Sequence, residues 1–426
     1  MNKHICIHGH FYQPPRENPW LESIEQQDSA YPYHDWNERI TAECYAPNSL
    51  ARILGPSGKI VNITNNYSNF SFNFGPTLLS WLEKNDKDTY QAILTADKES
   101  QNEFSGHGSA IAQCYNHMIM PLSNTHDKYT QVYWGIKDFE YRFGRKPEGM
   151  WLPETAVDLE TLDIMAEQGI LFTILAPSQA KRIRKKNQTK WKDVSEGKID
   201  PRYTYLCKLS SGRTISLFFY DGPISHDIAF KKLLVKGEYL AERLLEVFTS
   251  DDEDQLVHVA TDGETYGHHH QNADMALAYC INYIREKKLA HVTIYGEYLS
   301  NHPPDFEVEI YENSSWSCFH GIERWRNNCG CSSGSNRNWN QEWRAPLRKA
   351  FDWLRDNAIP IYEVQMKKYV NDPWKARNEY IGVILNRNRE SLHQFFKRNA
   401  AHNLSAEERV SVLQLMEMQR NAMLMY

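Results

Sequence analysis

Short apolar, β-branched runs alternate with longer amphipathic stretches through the first 310 residues, and this alternation constrains the fold more than any other feature. The pattern is typical of parallel strands joined by helical crossovers, as in an α/β barrel or a doubly wound sheet. Polar or turn-forming residues bound the runs that we predict to be strands, which are His4–His8, Lys59–Thr64, Gly149–Pro153, Leu171–Ala176, Thr214–Tyr220, Gln255–Thr261 and His291–Tyr295. Seven strands favour a barrel, complete or incomplete.

The chain ends in helices. Helical periodicity is clear in Asp127–Phe143, Val235–Phe248 and Ala273–Glu286, and later in Ala345–Asn357, Ala376–Asn399 and Ala406–Met425. Residues 311–344 lack periodicity and are rich in Ser, Asn, Trp, Gly and Cys, and loops this long inside a domain are usually functional. We therefore predict a catalytic domain over residues 1–310, an active-site loop region over 311–344 and an α-helical domain over 345–426.

The last predicted helix has a defined start and an undefined end. Ser405 and Glu408 form a capping box, whereas neither Gly nor Asn stops the helix before Tyr426. We therefore expect the chain to be truncated, as a fragment of a longer one.

The overall charge argues against several classes of partner. The chain has 48 basic and 54 acidic residues and a formal net charge of −6, so no strong field for nucleic acid or an anionic membrane exists. In the basic run Lys181–Lys192 the single aromatic residue is Trp191, which favours a solvated surface insertion over an RNA-binding loop. Without a signal-peptide pattern or a run of membrane-spanning length, the sequence predicts a cytoplasmic protein of undetermined oligomeric state.

Eight cysteines are scattered through the chain, which suggests reduced thiols. Cys329-Gly330-Cys331, with Cys318 and His320 nearby, raises the possibility of a zinc site. Their spacing fits no standard zinc pattern, so the sequence favours a flexible loop without a metal. We accordingly expect no cofactor.

Polar clusters follow several predicted strands, and barrel enzymes place their chemistry at the carboxyl ends of strands. His8 and His10 would share one face of the first strand, with Gly9 between them. Residues 106–117, which include His107, offer neutral donors and acceptors suited to sugar hydroxyls. Taken alone, the two histidines fit a hydrogen-bonded loop as well as a binding site.

Two further strand ends carry carboxylates. Glu154 follows an apolar strand beside Trp151, which could stack on a sugar ring. Residues 261–270 contain two carboxylates and three histidines, the densest titratable cluster of the chain. Hydrolysis of a glycosidic bond with retention needs one ionised and one protonated carboxyl group about 5 Å apart, and Glu154 and Asp262 can meet that demand.

In order, these clusters resemble the signature regions of glycoside hydrolase family 57, whose members act on α-glucans and related α-linked sugars. The residues that carry the resemblance are His8, His10, Gln13 and Pro14, then Trp151 to Glu154, and then Asp262, Glu264, Gly267 and His268. The opening HGHFYQPPRENPW and the later SWSCFHGIERW are similar to a little-characterised branch with a helical domain of unknown function after the barrel. The family's glutamate-bearing second region has no match near residues 106–117, which leaves the substrate open.

The resemblance implies an incomplete seven-stranded (β/α) barrel followed by an α-helical domain, and a retaining double displacement on an oligosaccharide or polysaccharide. Glu154 would be the nucleophile and Asp262 the general acid/base, with Glu264 as the reserve acid. The residues that we predict to bind substrate are His8, His10, Gln13, His107, Trp151, Glu264, Tyr266, His268, Trp316, His320, Arg324 and Trp325.

Two other functions stay open. One is a metal-dependent sugar hydrolase or deacetylase in which His8, His10, Asp262 and a later histidine such as His268 bind zinc. The other is a barrel that binds glycan without turnover. The sequence does not distinguish hydrolysis from transfer, nor does it identify the sugar or the linkage.

Overall fold

A row of seven parallel strands forms the core of the first of two units in the computed structural model, which describes residues 2–18, 20–21, 23–249, 253–331 and 339–426. The first unit comprises residues 1–113, 147–151 and 170–310, and the second comprises residues 114–146, 152–169 and 311–426. Part of the predicted active-site loop region, residues 332–338, lies outside the described residues. The boundaries expected at 310 and 344 stay a prediction.

The strands of the described chain all belong to the first unit. They are β1 (Lys3–Phe11), β2 (Ala51–Leu54), β3 (Ile60–Thr64), β4 (Ser71–Phe74), β5 (Ala112–Gln113), β6 (Met150–Trp151), β7 (Phe172–Leu175), β8 (Ala180–Lys185), β9 (Lys192–Asp193), β10 (Thr204–Lys208), β11 (Thr214–Phe219), β12 (Gln255–Asp262), β13 (His291–Val292) and β14 (Phe306–Ile310).

The parallel row runs in the order β12, β1, β4, β5, β6, β7 and β11. The ends of the row approach each other where the amide of Asp221 donates to the carbonyl of His258 at 2.8 Å. Both β1 and β12 are buried on both faces over most of their length, as expected of strands covered by crossover helices. The prediction of an incomplete seven-stranded barrel is therefore confirmed.

One predicted barrel strand is wrong. β3 pairs with β2 in an antiparallel hairpin, and most of its residues are exposed. The strands of the row that the sequence analysis missed are β4 and β5, which have four and two residues. β13 is short and pairs in parallel with the amino end of β1, at His4 and Ile5. The remaining strands, β8, β9, β10 and β14, extend the sheet beyond β11.

All the predicted helical stretches contain helices, but several observed helices, including Pro76–Asn85 and Lys87–Glu103, were not predicted. The helices are α1 (Trp36–Ile40), α2 (Ala46–Ser49), α3 (Pro76–Asn85), α4 (Lys87–Glu103), α5 (Thr125–Phe143), α6 (Leu159–Glu167), α7 (Gly222–Phe230), α8 (Gly237–Leu245), α9 (Ala273–Glu286), α10 (Tyr295–Asn301), α11 (Arg344–Met366), α12 (Pro373–Glu379), α13 (Ile381–Leu385), α14 (Arg389–Asn399) and α15 (Ala406–Met425). The single helix predicted over Ala376–Asn399 is divided into α12, α13 and α14. The predicted capping box at Ser405 and Glu408 starts α15.

Helix α5 packs with the C-terminal helices in the second unit through a buried ion pair. The guanidinium of Arg377, on α12, donates to Asp127 of α5 at 2.7 Å and to Gln419 of α15 at 3.0 Å. Arg377 is 1% exposed and also donates to the hydroxyl of Thr130 at 2.9 Å. Because every polar atom of a buried guanidinium needs a partner, this arrangement fixes the register of three helices. No described helix has the length and apolarity needed to cross a membrane.

Replacing Arg377 by Met should lower the free energy of unfolding of the second unit by about 3–5 kcal/mol, because Asp127 would be left buried without its partner. Arg387→Met is the matched control, since Arg387 is 52% exposed and pairs with Glu417 at 3.4 Å. The control should cost less than about 1 kcal/mol. Urea unfolding followed by circular dichroism measures both, and equal losses would contradict this assignment.

Candidate active site

The carboxyl ends of β1 and β12 lie side by side. Their parallel register pairs Gly9 with Thr261 and His10 with Asp262. Asp262 is exposed and ends its strand, whereas His10 is buried. A Cβ atom on the next residue, Gly263, would lie 2.3 Å from the Phe11 ring, so only glycine allows this close approach. The barrel edge therefore presents an imidazole next to a solvent-accessible carboxylate.

The amide of Asn73, on β4, connects the two histidines of β1. Its oxygen accepts from His8 Nε2 at 3.1 Å, and its nitrogen donates to His10 Nδ1 at 2.9 Å and to Gln113 Oε1 at 2.8 Å. The hydroxyl of Ser71 completes the chain at 2.9 Å from His8 Nδ1. Because the Asn73 side-chain nitrogen donates to His10 Nδ1, the neutral His10 ring carries its proton on Nε2.

Both histidines are neutral at physiological pH. Burial is the largest cause, and it lowers the pKa of His8 and of His10 to about 3. For His8, whose Nε2 donates to the Asn73 oxygen, this hydrogen bond favours the protonated ring but does not overcome the effect of burial. A neutral His10 can donate one hydrogen bond through Nε2 without placing a positive charge next to Asp262.

Trp151 supports the histidines from within the barrel. Its ring stacks on His8 with centroids 5.1 Å apart and on His10 at 4.8 Å, and it is 0% exposed. The ring of Tyr12 lies parallel to His10 at 6.1 Å. Trp151 was predicted to contact a sugar, but the structure places it beneath the imidazoles, where it fixes their orientation.

Glu264 is buried behind the strand ends. Its Oε1 accepts from the hydroxyl of Tyr45 at 2.5 Å and from the amide of Tyr12 at 3.1 Å. Burial raises the pKa of Glu264 to about 7, and the negative charge of Asp262 adds to the effect, while the Tyr45 hydrogen bond opposes it. Because it accepts from the amide of Tyr12, Glu264 anchors the backbone after β1. In the same region, the side-chain oxygen of Gln13 accepts from the guanidinium of Arg16 at 2.7 Å.

Glu154 occupies a left-handed backbone conformation in the second unit, with φ 56° and ψ 19°. Such a conformation is costly for a residue other than glycine and tends to occur at functional sites. Its carboxylate Oε2 accepts from the indole of Trp316 at 3.0 Å and from the hydroxyl of Ser317 at 2.5 Å. Trp316 thus contacts Glu154 through its polar edge, and Ser317 is a partner that the sequence analysis did not select.

The other predicted residues of the second unit follow Ser317 in the chain. Arg324 donates to the carbonyl of Ser317 at 2.9 Å, which supports the hydroxyl that contacts Glu154. Trp325 packs against a small apolar cluster that includes Ile322. His320 is exposed, with its Nδ1 3.5 Å from the sulfur of Cys331.

Three residues predicted to bind substrate have other surroundings. Tyr266 is 0% exposed and packs edge to face on Phe70. His268 is partly exposed and lies 2.5 Å from the carboxylate of Glu43. His107 contacts Glu148 at 2.8 Å, and both precede their strands, so they lie at the amino ends of β5 and β6, opposite His10 and Asp262.

The metal site considered for His8, His10 and Asp262 has no support in this geometry. Both ring nitrogens of His8 have protein partners, Ser71 and Asn73. Among the described residues, the groups that bring three or more potential ligand atoms together do not include any of these three side chains.

Residues 7–311 match the model of glycosyl hydrolase family 57, and this match covers well over half of the chain. The chain belongs to this family. A second family model, a domain of unknown function (DUF3536), matches residues 339–426 and confirms the expected C-terminal domain of unknown function.

Relatives of this family 57 chain include two curated enzymes. An alpha-amylase 1 from Dictyoglomus thermophilum is 24% identical over 210 residues, 49% of this chain and 27% of the relative. A 4-alpha-glucanotransferase from Thermococcus litoralis is 24% identical over 254 residues, 57% of this chain and 35% of the relative. The matched regions thus span only about a quarter to a third of these relatives' length.

A solved structure shares the fold. The exo-type maltose-forming amylase from Pyrococcus sp. ST04 superposes with a TM-score of 0.70 at 16% identity, covering 100% of this chain and 74% of that one. At this identity the likeness shows the barrel and its helical region, and it carries no information on substrate.

The raised pKa of Glu264 predicts a pH-dependent effect of Glu264→Gln. A carboxyl group that ionises at about pH 7 when folded but near pH 4.5 when unfolded destabilises the protein as pH rises between these values. Relative to the wild type, Glu264→Gln should therefore gain about 2–3 kcal/mol of unfolding free energy between pH 4.5 and pH 7.5. Urea titrations at the two pH values measure this gain.

Glu43→Gln is the control of opposite sign. Partial burial acts to raise the pKa of Glu43, but hydrogen bonds from His268 and Arg39 outweigh it and hold the pKa below its usual value. Its carboxylate stabilises the fold above the unfolded pKa, so Glu43→Gln should lose stability relative to the wild type as pH rises. The same pH dependence in both variants would contradict the account of Glu264.

Proposed function

We propose that this chain is a retaining glycoside hydrolase or transglycosylase that acts on α-linked glycans, amylase-like or 4-α-glucanotransferase-like. Membership of glycosyl hydrolase family 57 supports the proposal, as do the names of the two curated relatives. The observation that carries it is that both carboxylates of the family motifs follow strands of the parallel row, Glu154 after β6 and Asp262 at the end of β12.

Glu154 is the proposed nucleophile. Trp316 and Ser317 both bind its Oε2, so we assign attack on the anomeric carbon to Oε1, the oxygen that these donors do not bind. Attack forms a covalent glycosyl-enzyme as the bond to the leaving oxygen breaks. The left-handed backbone of Glu154 and its two donors orient the carboxylate before substrate arrives.

Asp262 is the proposed general acid/base. It protonates the leaving oxygen in the first step and then deprotonates the water or sugar hydroxyl that attacks the glycosyl-enzyme. Its exposure fits a group that must exchange protons with acceptors, whereas Glu264 is buried and already binds Tyr45 and Tyr12. Neutral His10 lies next to Asp262 in the strand register and places no positive charge beside it.

We also propose a cytoplasmic location. The support is that the eight cysteines are scattered through a large chain and that none of them forms a disulfide.

The assigned roles predict different products from two variants in the presence of azide. With an activated aryl α-glycoside, Asp262→Ala should still form the glycosyl-enzyme, because the leaving group needs no proton, and azide should attack it to give the α-glycosyl azide. Glu154→Ala leaves room for azide to displace the leaving group directly, which gives the inverted β-glycosyl azide. Proton NMR of the anomeric signals distinguishes the two products.

Without azide, Glu154→Gln and Asp262→Asn should each lower turnover of α-glucans by at least about 10²–10⁴-fold. Glu148→Gln is the matched carboxylate control, since Glu148 lies at the amino end of β6 beside His107, and it should keep wild-type activity. Inversion by the wild type would refute double displacement. Retained activity in Asp262→Asn with loss in Glu264→Gln would transfer the acid role to Glu264.

A further inference from the structure

Four potential metal ligands converge in the loop that precedes helix α11. The ligand atoms of Cys318, His320, Cys329 and Cys331 all lie within 4.8 Å of one another. We propose that these four side chains bind one Zn²⁺ ion in a closed, structural Cys₃His site. This site lies in the second unit and involves neither His10 nor Asp262.

The distances match tetrahedral coordination. Zinc binds thiolate sulfur at about 2.3 Å and imidazole nitrogen at about 2.0–2.1 Å, so the tetrahedral angle places two sulfurs about 3.8 Å apart and sulfur and nitrogen about 3.6 Å apart. The sulfur of Cys318 lies 3.9 Å from that of Cys329 and 4.0 Å from that of Cys331. The Nδ1 atom of His320 lies 3.5 Å from the Cys331 sulfur.

The sulfurs are not arranged as a disulfide. A disulfide requires two sulfur atoms about 2.05 Å apart, whereas all eight cysteines here are free thiols. Here one sulfur, that of Cys318, lies at a similar distance from two others. Together with mutual distances within 4.8 Å for all four ligand atoms, this spacing fits coordination of one shared ion.

Backbone donors surround the sulfurs, as in the outer shells of zinc sites. The backbone amides of His320 and Arg324 face the Cys318 sulfur, and the amide of Cys331 faces the Cys329 sulfur, in positions that favour a thiolate. The side-chain amide of Gln341 donates to the carbonyl of Cys331. Such second-shell contacts orient thiolate ligands and stabilise their charge.

The sequence favours a flexible loop over a metal here because the spacing is unusual. The ligands are Cys-x-His and Cys-x-Cys, with eight residues between His320 and Cys329. Ligand pairs one residue apart differ from the usual two-to-four-residue spacing of zinc fingers. The turn at Gly321, with φ 81°, and the short helical turn Glu323–Trp325 bring the two pairs together.

The ion would order the segment that contacts Glu154. Trp316 and Ser317 immediately precede Cys318, and both donate to the Glu154 carboxylate. With four protein ligands, no position remains for water or substrate, so the ion supplies structure and does not take part in the reaction. Any effect on turnover rests on the proposed role of Glu154, but binding of the ion does not.

Zinc content of the purified full chain tests the proposal directly. After dialysis against Zn²⁺ under reducing conditions and removal of excess metal, mass spectrometry of the metal should find one zinc per chain. Cys329→Ser and Cys331→Ser should each weaken zinc binding by more than about 100-fold in competition with a chromogenic chelator, because loss of second-shell contacts alone costs about 10–100-fold. Co²⁺ in place of Zn²⁺ should give the intense absorption of tetrahedral thiolate coordination in the wild type.

His302→Ala is the matched control. His302 belongs to the other group of potential ligands in the described chain, with His4 and Asp254, and this variant should keep one zinc. No stoichiometric zinc and no thiolate–cobalt absorption in the wild type would overturn the proposal. So would full zinc content in Cys329→Ser and Cys331→Ser, or loss of zinc in His302→Ala alone. These readouts need no substrate, so they stand apart from the test of the proposed enzyme activity.

Discussion

The parallel pairing of β1 with its neighbours is the constraint on which the barrel-end site depends. The pairing with β12 sets His10 beside Asp262, and the pairing with β4 sets Asn73 where one amide holds both His8 and His10. A shift of one residue in either register would turn these side chains to the other face of the sheet. Since all of these groups are buried except Asp262, the polar chain must be complete for the barrel to be stable.

Burial assigns the protonation states around the exposed carboxylate. The two imidazoles are kept neutral, and Glu264 is held near the midpoint of its titration at neutral pH. In the second unit, Glu154 has neutral donors, an indole and a hydroxyl. Two glutamates of one protein can thus differ in protonation because their surroundings differ. Such differences are the usual basis for assigning the acid and the base in glycosidases.

The sequence identified the motif residues and the barrel, because strand-end clusters in a fixed order are visible without a structure. It did not identify β4, whose four residues Ser71–Phe74 are too short and aromatic to show a clear pattern, and so it missed Ser71 and Asn73. It assigned a barrel strand instead to Lys59–Thr64, most of which forms an exposed hairpin partner. The segment is a strand, as predicted, but periodicity alone does not say which sheet a strand joins.

Burial and long-range contacts account for the other differences. Trp151 and Tyr266 were expected to face a sugar, and nothing local distinguishes a buried ring from an exposed one. The contact of Tyr45 with Glu264 joins residues 219 positions apart, and that of Ser317 with Glu154 joins residues 163 apart. The Cys₃His cluster likewise depends on how a loop folds, which the spacing of its four residues along the chain does not indicate.

Trapping the covalent intermediate would identify the nucleophile. Asp262→Asn, incubated with an α-glucosyl or α-maltosyl fluoride, should form the glycosyl-enzyme without acid assistance and hydrolyse it slowly, because the general base is absent. Intact mass spectrometry should then find one added glycosyl group, and peptide mapping should locate it on Glu154. Consumption of the fluoride without an adduct, or an adduct on another residue, would contradict the account.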